Sequence, residues 1–82
     1  MKRFLVFAPL GADPQNPLIL GAIVVPDCFT PTDAFIDVAE AAAIDLFLMT
    51  GPPDAIPGYL LGVGKKLMAR LSSNPRLRAE LN

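Results

Sequence analysis

Thr30–Gly51 reads TPTDAFIDVAEAAAIDLFLMTG, and how far its helix extends decides the fold. Thr30-Pro31-Thr32-Asp33 is a helix start: a threonine N-cap, proline at the first helical position and an acid three residues on that can cap backwards. Placed at 100° intervals, Phe35, Val38, Ala42, Leu46 and Met49 form one apolar stripe, with Asp33, Asp37 and Glu40 roughly opposite. The periodicity predicts a single helix from Pro31 to about Met49, stopped by Gly51 and the Pro52-Pro53 pair. Its last third changes character, because Ile44, Phe47 and Leu48 lie on the side that began acidic, and an apolar patch there calls for a second neighbour. The alternative ends the helix near Ala43 and makes residues 44–50 a third strand, but the sequence provides no linking loop between the two.

Upstream, Lys2–Ala8 (KRFLVFA) and Leu18–Val25 (LILGAIVV) are β-prone runs ending at Pro9 and Pro26, and the turn-rich Gly11–Pro17 joins them as a wide hairpin. Neither run alternates apolar with polar residues, so both faces are expected to be buried, which a two-stranded ribbon cannot achieve alone. A sheet or helix on each side must help. Downstream, Asp54 is placed to cap a second helix with Pro57 in its first turn. Ile56, Leu60, Val63, Leu67 and Leu71 form the apolar stripe of that helix; Lys65, Lys66 and Arg70 share the far side with Gly58, Gly62 and Ala69. Asn74 caps a short terminal helix from Pro75 to Leu81, with Leu77 and Leu81 inward and Arg76 and Arg78 outward.

The fold class expected for residues 1–82 is therefore one small α+β domain: an N-terminal β-hairpin, two main helices and a short C-terminal helix. The alternative order is ββαβα, with residues 44–50 as the third strand. A basic helical segment spans residues 65–82.

Charge is laid out unevenly. All 7 basic residues lie at the ends (Lys2, Arg3, Lys65, Lys66, Arg70, Arg76, Arg78), whereas the acids, Glu80 excepted, fall between Asp13 and Asp54, so a net charge of −1 conceals an acidic middle and a basic C-terminal quarter. At 82 residues, with 52% hydrophobic and 18% charged residues, the chain holds more apolar surface than a lone core of this size hides. Cys28 is the single cysteine and histidine is absent, which excludes an internal disulfide and a Cys/His zinc site. The remaining staple is another protein chain. The longest uninterrupted apolar runs are too short for a bilayer span, and Pro9 spoils the resemblance of the N-terminal run to a secretory leader. A soluble, non-secreted setting is expected, cytoplasmic or inside a virion-like assembly.

Chemistry is poorly supported. Without histidine, Ser/His and Cys/His nucleophilic arrangements cannot form within one chain. Cys28 stands beside Asp27, which disfavours a thiolate, and Asp33, Asp37 and Glu40 read as a solvated face rather than a cation cage. Gly58–Lys66 (GYLLGVGKK) fails as a phosphate loop, since its glycine spacing is one residue too long and Lys66 replaces the Ser or Thr that binds magnesium. Gly58 and Gly62 instead suit flexibility or backbone approach by a neighbouring chain. No motif names a family, and no catalytic residue, metal or cofactor is expected.

The function expected is that of a noncatalytic structural subunit in a multi-copy, virion- or casing-like assembly. Its partners are other protein subunits, self or hetero, with weak nucleic-acid contact available to the basic C-terminal segment. Asp33, Asp37 and Glu40 of one copy would meet Lys65, Lys66 and Arg70 of the next, while Ile44, Phe47, Leu48 and the exposed flank of Leu18–Val25 supply apolar contact. The alternative is a small regulator or inhibitor, as mobile elements carry, that binds one larger protein.

Overall fold

A computed structural model describes residues 1–11, 13, 15 and 18–77. Three strands and two principal helices follow the order β1 (Lys2–Pro9), β2 (Gly21–Val25), α1 (Asp33–Ala41), β3 (Ile44–Gly51) and α2 (Gly58–Ser72). The sheet order is β2-β1-β3, and both outer strands run antiparallel to β1. Residues 75–77 begin a further helical turn. The fold is α+β in the ββαβα order, so the single long helix from Pro31 to Met49 is corrected: Ile44–Gly51 is a strand.

The correction has a local cause. Helix α1 closes at Ala42, whose N–H donates to the Val38 and Ala39 carbonyls. Ala43 then adopts φ 61°, a left-handed conformation that costs a non-glycine residue roughly 1–2 kcal/mol. The link that the sequence lacked is thus two alanines long, one of them strained. What offsets the strain is the ladder beyond it, where all eight β3 residues pair with β1 from Pro9↔Ile44 to Lys2↔Gly51. Tertiary pairing overrides the helical preference of Ala42 and Ala43. At the other end of α1 the N-cap is Thr32, two residues later than a cap at Thr30 would be, and its hydroxyl oxygen accepts from the Phe35 N–H at 3.2 Å.

The hairpin forms as expected, although β2 is shorter than the apolar run: pairing starts at Gly21, and Leu18 is exposed. Burial on both faces also holds for the middle strand, where Phe4, Leu5, Phe7 and Ala8 have no exposed surface. Leu5 and Phe7 point to one face, into a core with Val25, Phe35, Val38 and Leu71. Phe4 and Val6 point to the other, packed with Ala22, Ile56, Leu60 and Phe47.

One helix serves both faces. Leu60 and Leu61, in the first half of α2, join the Phe4/Val6 cluster, and Leu67, Met68 and Leu71, in the second half, join the Leu5/Phe7 cluster. Between the halves, α2 must cross the outer edge of β2. Gly64 makes that crossing possible: a Cβ there would overlap the Ala22 carbonyl and lie 2.6 Å from the Ala22 nitrogen. Gly21 is equally confined, since a Cβ on it would stand 2.7 Å from the Gly64 nitrogen. Two expectations for α2 change accordingly. Pro57 occupies the N-cap position with no side-chain cap bond, so Asp54 does not cap the helix, and Val63 lies outside the stripe at 39% exposure.

Candidate functional site

The two outer edges of the sheet differ. The β2 edge is crossed by α2 in backbone contact at Gly64. Among the described residues the β3 edge carries no further strand, and apart from β1 its main neighbour is α1, which packs on the sheet face through Phe35, Val38 and Ala39 against Ile44 and Leu46.

Which backbone groups face outward from β3 follows from the ladder. The Leu10 N–H donates to the Ala43 carbonyl at 3.0 Å, which fixes that position as hydrogen-bonded. Antiparallel alternation then directs Asp45, Phe47, Met49 and Gly51 toward β1, opposite Ala8, Val6, Phe4 and Lys2. Ile44, Leu46, Leu48 and Thr50 turn their N–H and C=O groups away from the sheet. Of these, the Leu46 N–H meets the Asp45 Oδ1 at 3.2 Å. Among the described residues, no other chain segment pairs with this edge.

Natural edges are usually blunted by charged side chains, lysine above all, by proline, a bulge or short length, and here the one charge is Asp45. Ile44–Gly51 (IDLFLMTG) is eight residues long, contains neither proline nor lysine, and pairs with β1 without a bulge. Its side chains add apolar surface on both faces, with Leu46, Phe47 and Met49 half-buried and Leu48 36% exposed. Of the expected apolar contact residues, Ile44, Phe47 and Leu48 lie on this one strand, with Ile44 buried at 7% in the core, whereas the Leu18–Val25 flank belongs to the opposite edge of the sheet. Leu46 and Thr50, which complete the edge, were absent from that expected set because a helical reading gives their backbone groups no outward direction.

The charged faces are placed on the two helices. Asp33, Asp37 and Glu40 are exposed on α1, and Lys65, Lys66 and Arg70 are exposed on α2. Asp37 is engaged within the chain, since the Arg76 guanidinium donates to its Oδ2 at 3.0 Å across two exposed side chains. Asn74 sets that arginine's position by accepting from the Arg76 N–H at 3.0 Å, as a cap should. Arg78 and Leu81 lie outside the described residues. On the Leu18–Val25 flank, Leu18 and Val24 are exposed.

Two concavities lie among the described residues away from this edge. A shallow groove of about 640 Å³ runs between Val24 and Lys65, floored by Ile23, Leu61 and Met68. A smaller pocket of about 190 Å³, walled by Phe29, Phe35, Met68 and Leu77, contains no ionisable side chain. Lys65 is the one titratable residue lining the groove, so neither cavity juxtaposes an acid and a base. Cys28 is exposed and borders neither cavity. Among the described residues, no three Cys, Asp or Glu side chains converge on a metal position, and no helix is long and apolar enough to cross a membrane. No protein-family model matches the chain, and searches of curated proteins and of solved structures give no match.

Proposed function

We propose that this protein is a noncatalytic subunit whose work is to bind other protein chains, and that it belongs to a multi-copy assembly. The observation that carries this reading is the β3 edge: eight residues of extended, largely apolar strand whose outward hydrogen-bonding groups have no strand beside them among the described residues. Such an edge is a template for another strand, and main-chain bonds there provide affinity while flanking side chains provide selectivity. Composition supports the same reading, because a chain of 82 residues with 52% hydrophobic content has surplus apolar surface to cover.

Charge plays the secondary part in this proposal. The exposed Lys65, Lys66 and Arg70 of α2 can meet Asp33 and Glu40 of a neighbour and bias its orientation, with Asp37 partly neutralised by its own Arg76. Nucleic acid is the less suited partner, given a net charge of −1 and the engagement of Arg76. A regulator that inserts its edge into one larger protein would use the same strand, and the stoichiometry separates the two readings.

The test is the mass of the purified protein in solution across a dilution series, at about 50 mM and about 500 mM salt. Association that persists at the higher salt is expected, because strand pairing and apolar contact are weakly screened. A monomer at every concentration and both salts removes the assembly reading.

A further inference from the structure

We infer that the occupant of the β3 edge is the β3 edge of a second copy, antiparallel about a twofold axis through Phe47, which joins two sheets into one of six strands. This rests on the association reading above and adds partner, register and symmetry to it.

Register follows from the outward set. Hydrogen-bonded pairs across the new junction can use only Ile44, Leu46, Leu48 and Thr50, so even-numbered residues must face even-numbered residues. An axis through Phe47 pairs Ile44 with Thr50 of the second copy and Leu46 with its Leu48, and each relation recurs by symmetry. All four outward residues are then used, with the Leu46 N–H exchanging its 3.2 Å contact to Asp45 Oδ1 for the Leu48 carbonyl of the second copy. Shifting the axis to Leu46 or Leu48 leaves Thr50 or Ile44 without a mate.

Side chains agree with that register on both faces. On the α1 face, half-buried Leu46 meets the exposed Leu48 of the other copy. On the opposite face, Phe47 meets itself at a non-hydrogen-bonded position, the closer type of cross-strand pair. Asp45, the sole charge on the strand, faces Met49 rather than its own copy. The two Asp45 carboxylates then stand about four residues apart along the strand, roughly 13 Å. A two-residue slip would set Asp45 beside Phe47, and a four-residue slip would set the carboxylates directly opposite each other. An isologous contact requires one patch to complement itself, and this strand does so on backbone, apolar and charge grounds together.

Amide hydrogen exchange on the unmodified protein tests the edge. Dilution should leave the Leu48 and Thr50 amides fast, and concentration should slow them at least about tenfold, while the Phe47 and Met49 amides, already bonded to β1, change little. Cysteine cross-linking tests the register. With Cys28→Ser as background, Phe47→Cys chains should oxidise with diamide to a covalent dimer at least about tenfold faster than Asp45→Cys or Met49→Cys chains alone, because opposed non-hydrogen-bonded positions have disulfide geometry. A mixture of Asp45→Cys and Met49→Cys chains should cross-link to each other, which keeps the register testable if Phe47→Cys is poorly folded. If the protein associates but Leu48 and Thr50 stay unprotected, the edge is not the contact, and the assembly reading survives without this inference. Protected amides with no preference among the cysteine positions overturn the twofold register. A monomer throughout ends both.

Discussion

The two edges of this sheet solve the same problem in opposite ways. At β2, a helix is drawn so close that its backbone touches the strand, and the contact is possible because Gly64 and Gly21 have no Cβ. At β3, no described segment does the same: the strand is longer, pairs with β1 without a bulge and contains neither lysine nor proline, Asp45 being its one charge. A fold with two principal helices could have placed one along each edge. Instead α1 lies on a face and α2 spans both faces by crossing β2, so coverage of the core is bought with a glycine on one side and an open ladder on the other. Intramolecular closure at one edge and intermolecular potential at the other thus come from the same placement of α2.

The largest expected effect breaks the closed edge. Gly64→Ala forces a methyl group into the Ala22 backbone, which cannot move without disturbing the β1 ladder, and a destabilisation of about 3 kcal/mol is expected. Gly62→Ala, two residues away where a Cβ meets nothing within 4 Å, should stabilise by about 1 kcal/mol through helix propensity. Urea unfolding of the two variants checks both signs. Equal effects at the two glycines would mean that α2 does not press on β2.

That contrast also marks what the residues could reveal in advance. The hairpin and a helix opening within Thr30–Asp33 are legible from β-branched runs, proline boundaries and capping chemistry, although the cap falls on Thr32 rather than Thr30, and the burial on both faces read for both runs holds for β1 but not for β2, where Val24 is exposed. The strand at Ile44–Gly51 was not favoured, because Leu46 and Met49 continue the helical stripe of Phe35 and Val38 by coincidence of spacing, and alanine carries no turn signal. Only the pairing with β1, a contact across more than thirty residues of sequence, decides between the two. Gly64 was likewise indistinguishable from Gly58 and Gly62 in sequence, since close approach is a property of the neighbour. Of the contact surface, Phe47 and Leu48 were legible as misplaced apolar residues, whereas Leu46 and Thr50 join it only once the direction of their backbone groups is known.

A smaller effect probes the open edge. Leu48→Pro removes an N–H that points away from β1, and proline is tolerated in an edge strand at such a position. The monomer should lose about 1 kcal/mol, chiefly from side-chain packing on the α1 face, while self-association falls by at least about tenfold. Circular dichroism with sedimentation measures both. Loss of fold on this substitution would place the Leu48 N–H inside the ladder and reverse the assignment of the outward set.

Of similar or smaller size is the effect at the turn that delivers β3. Ala43→Gly relieves a left-handed φ of 61° at the expense of greater freedom in the unfolded chain, and a net stabilisation of about 0.5–1 kcal/mol is expected in thermal or urea unfolding. Because the Ala43 carbonyl accepts from the Leu10 N–H, the register of β3 should be unchanged, and association should be unaffected. A stabilised variant that associates more weakly would tie the strain at Ala43 to the presentation of the edge.

The smallest effect separates charge from pairing. Asp37 and Arg76 form an ion pair at 3.0 Å, but their side chains are 53% and 58% exposed, and solvent screens most of the attraction. A double-mutant cycle of Asp37→Asn and Arg76→Gln should give a coupling below about 0.5 kcal/mol for folding. The more informative reading is in association. Arg76→Gln frees the α1 acidic face for the basic residues of another copy, so if those charges orient the assembly, the variant should associate more tightly at low salt and identically at high salt. If strand pairing alone governs the contact, Arg76→Gln and wild type should be indistinguishable at both, and the acidic and basic faces are then solvated surfaces with no part in recognition.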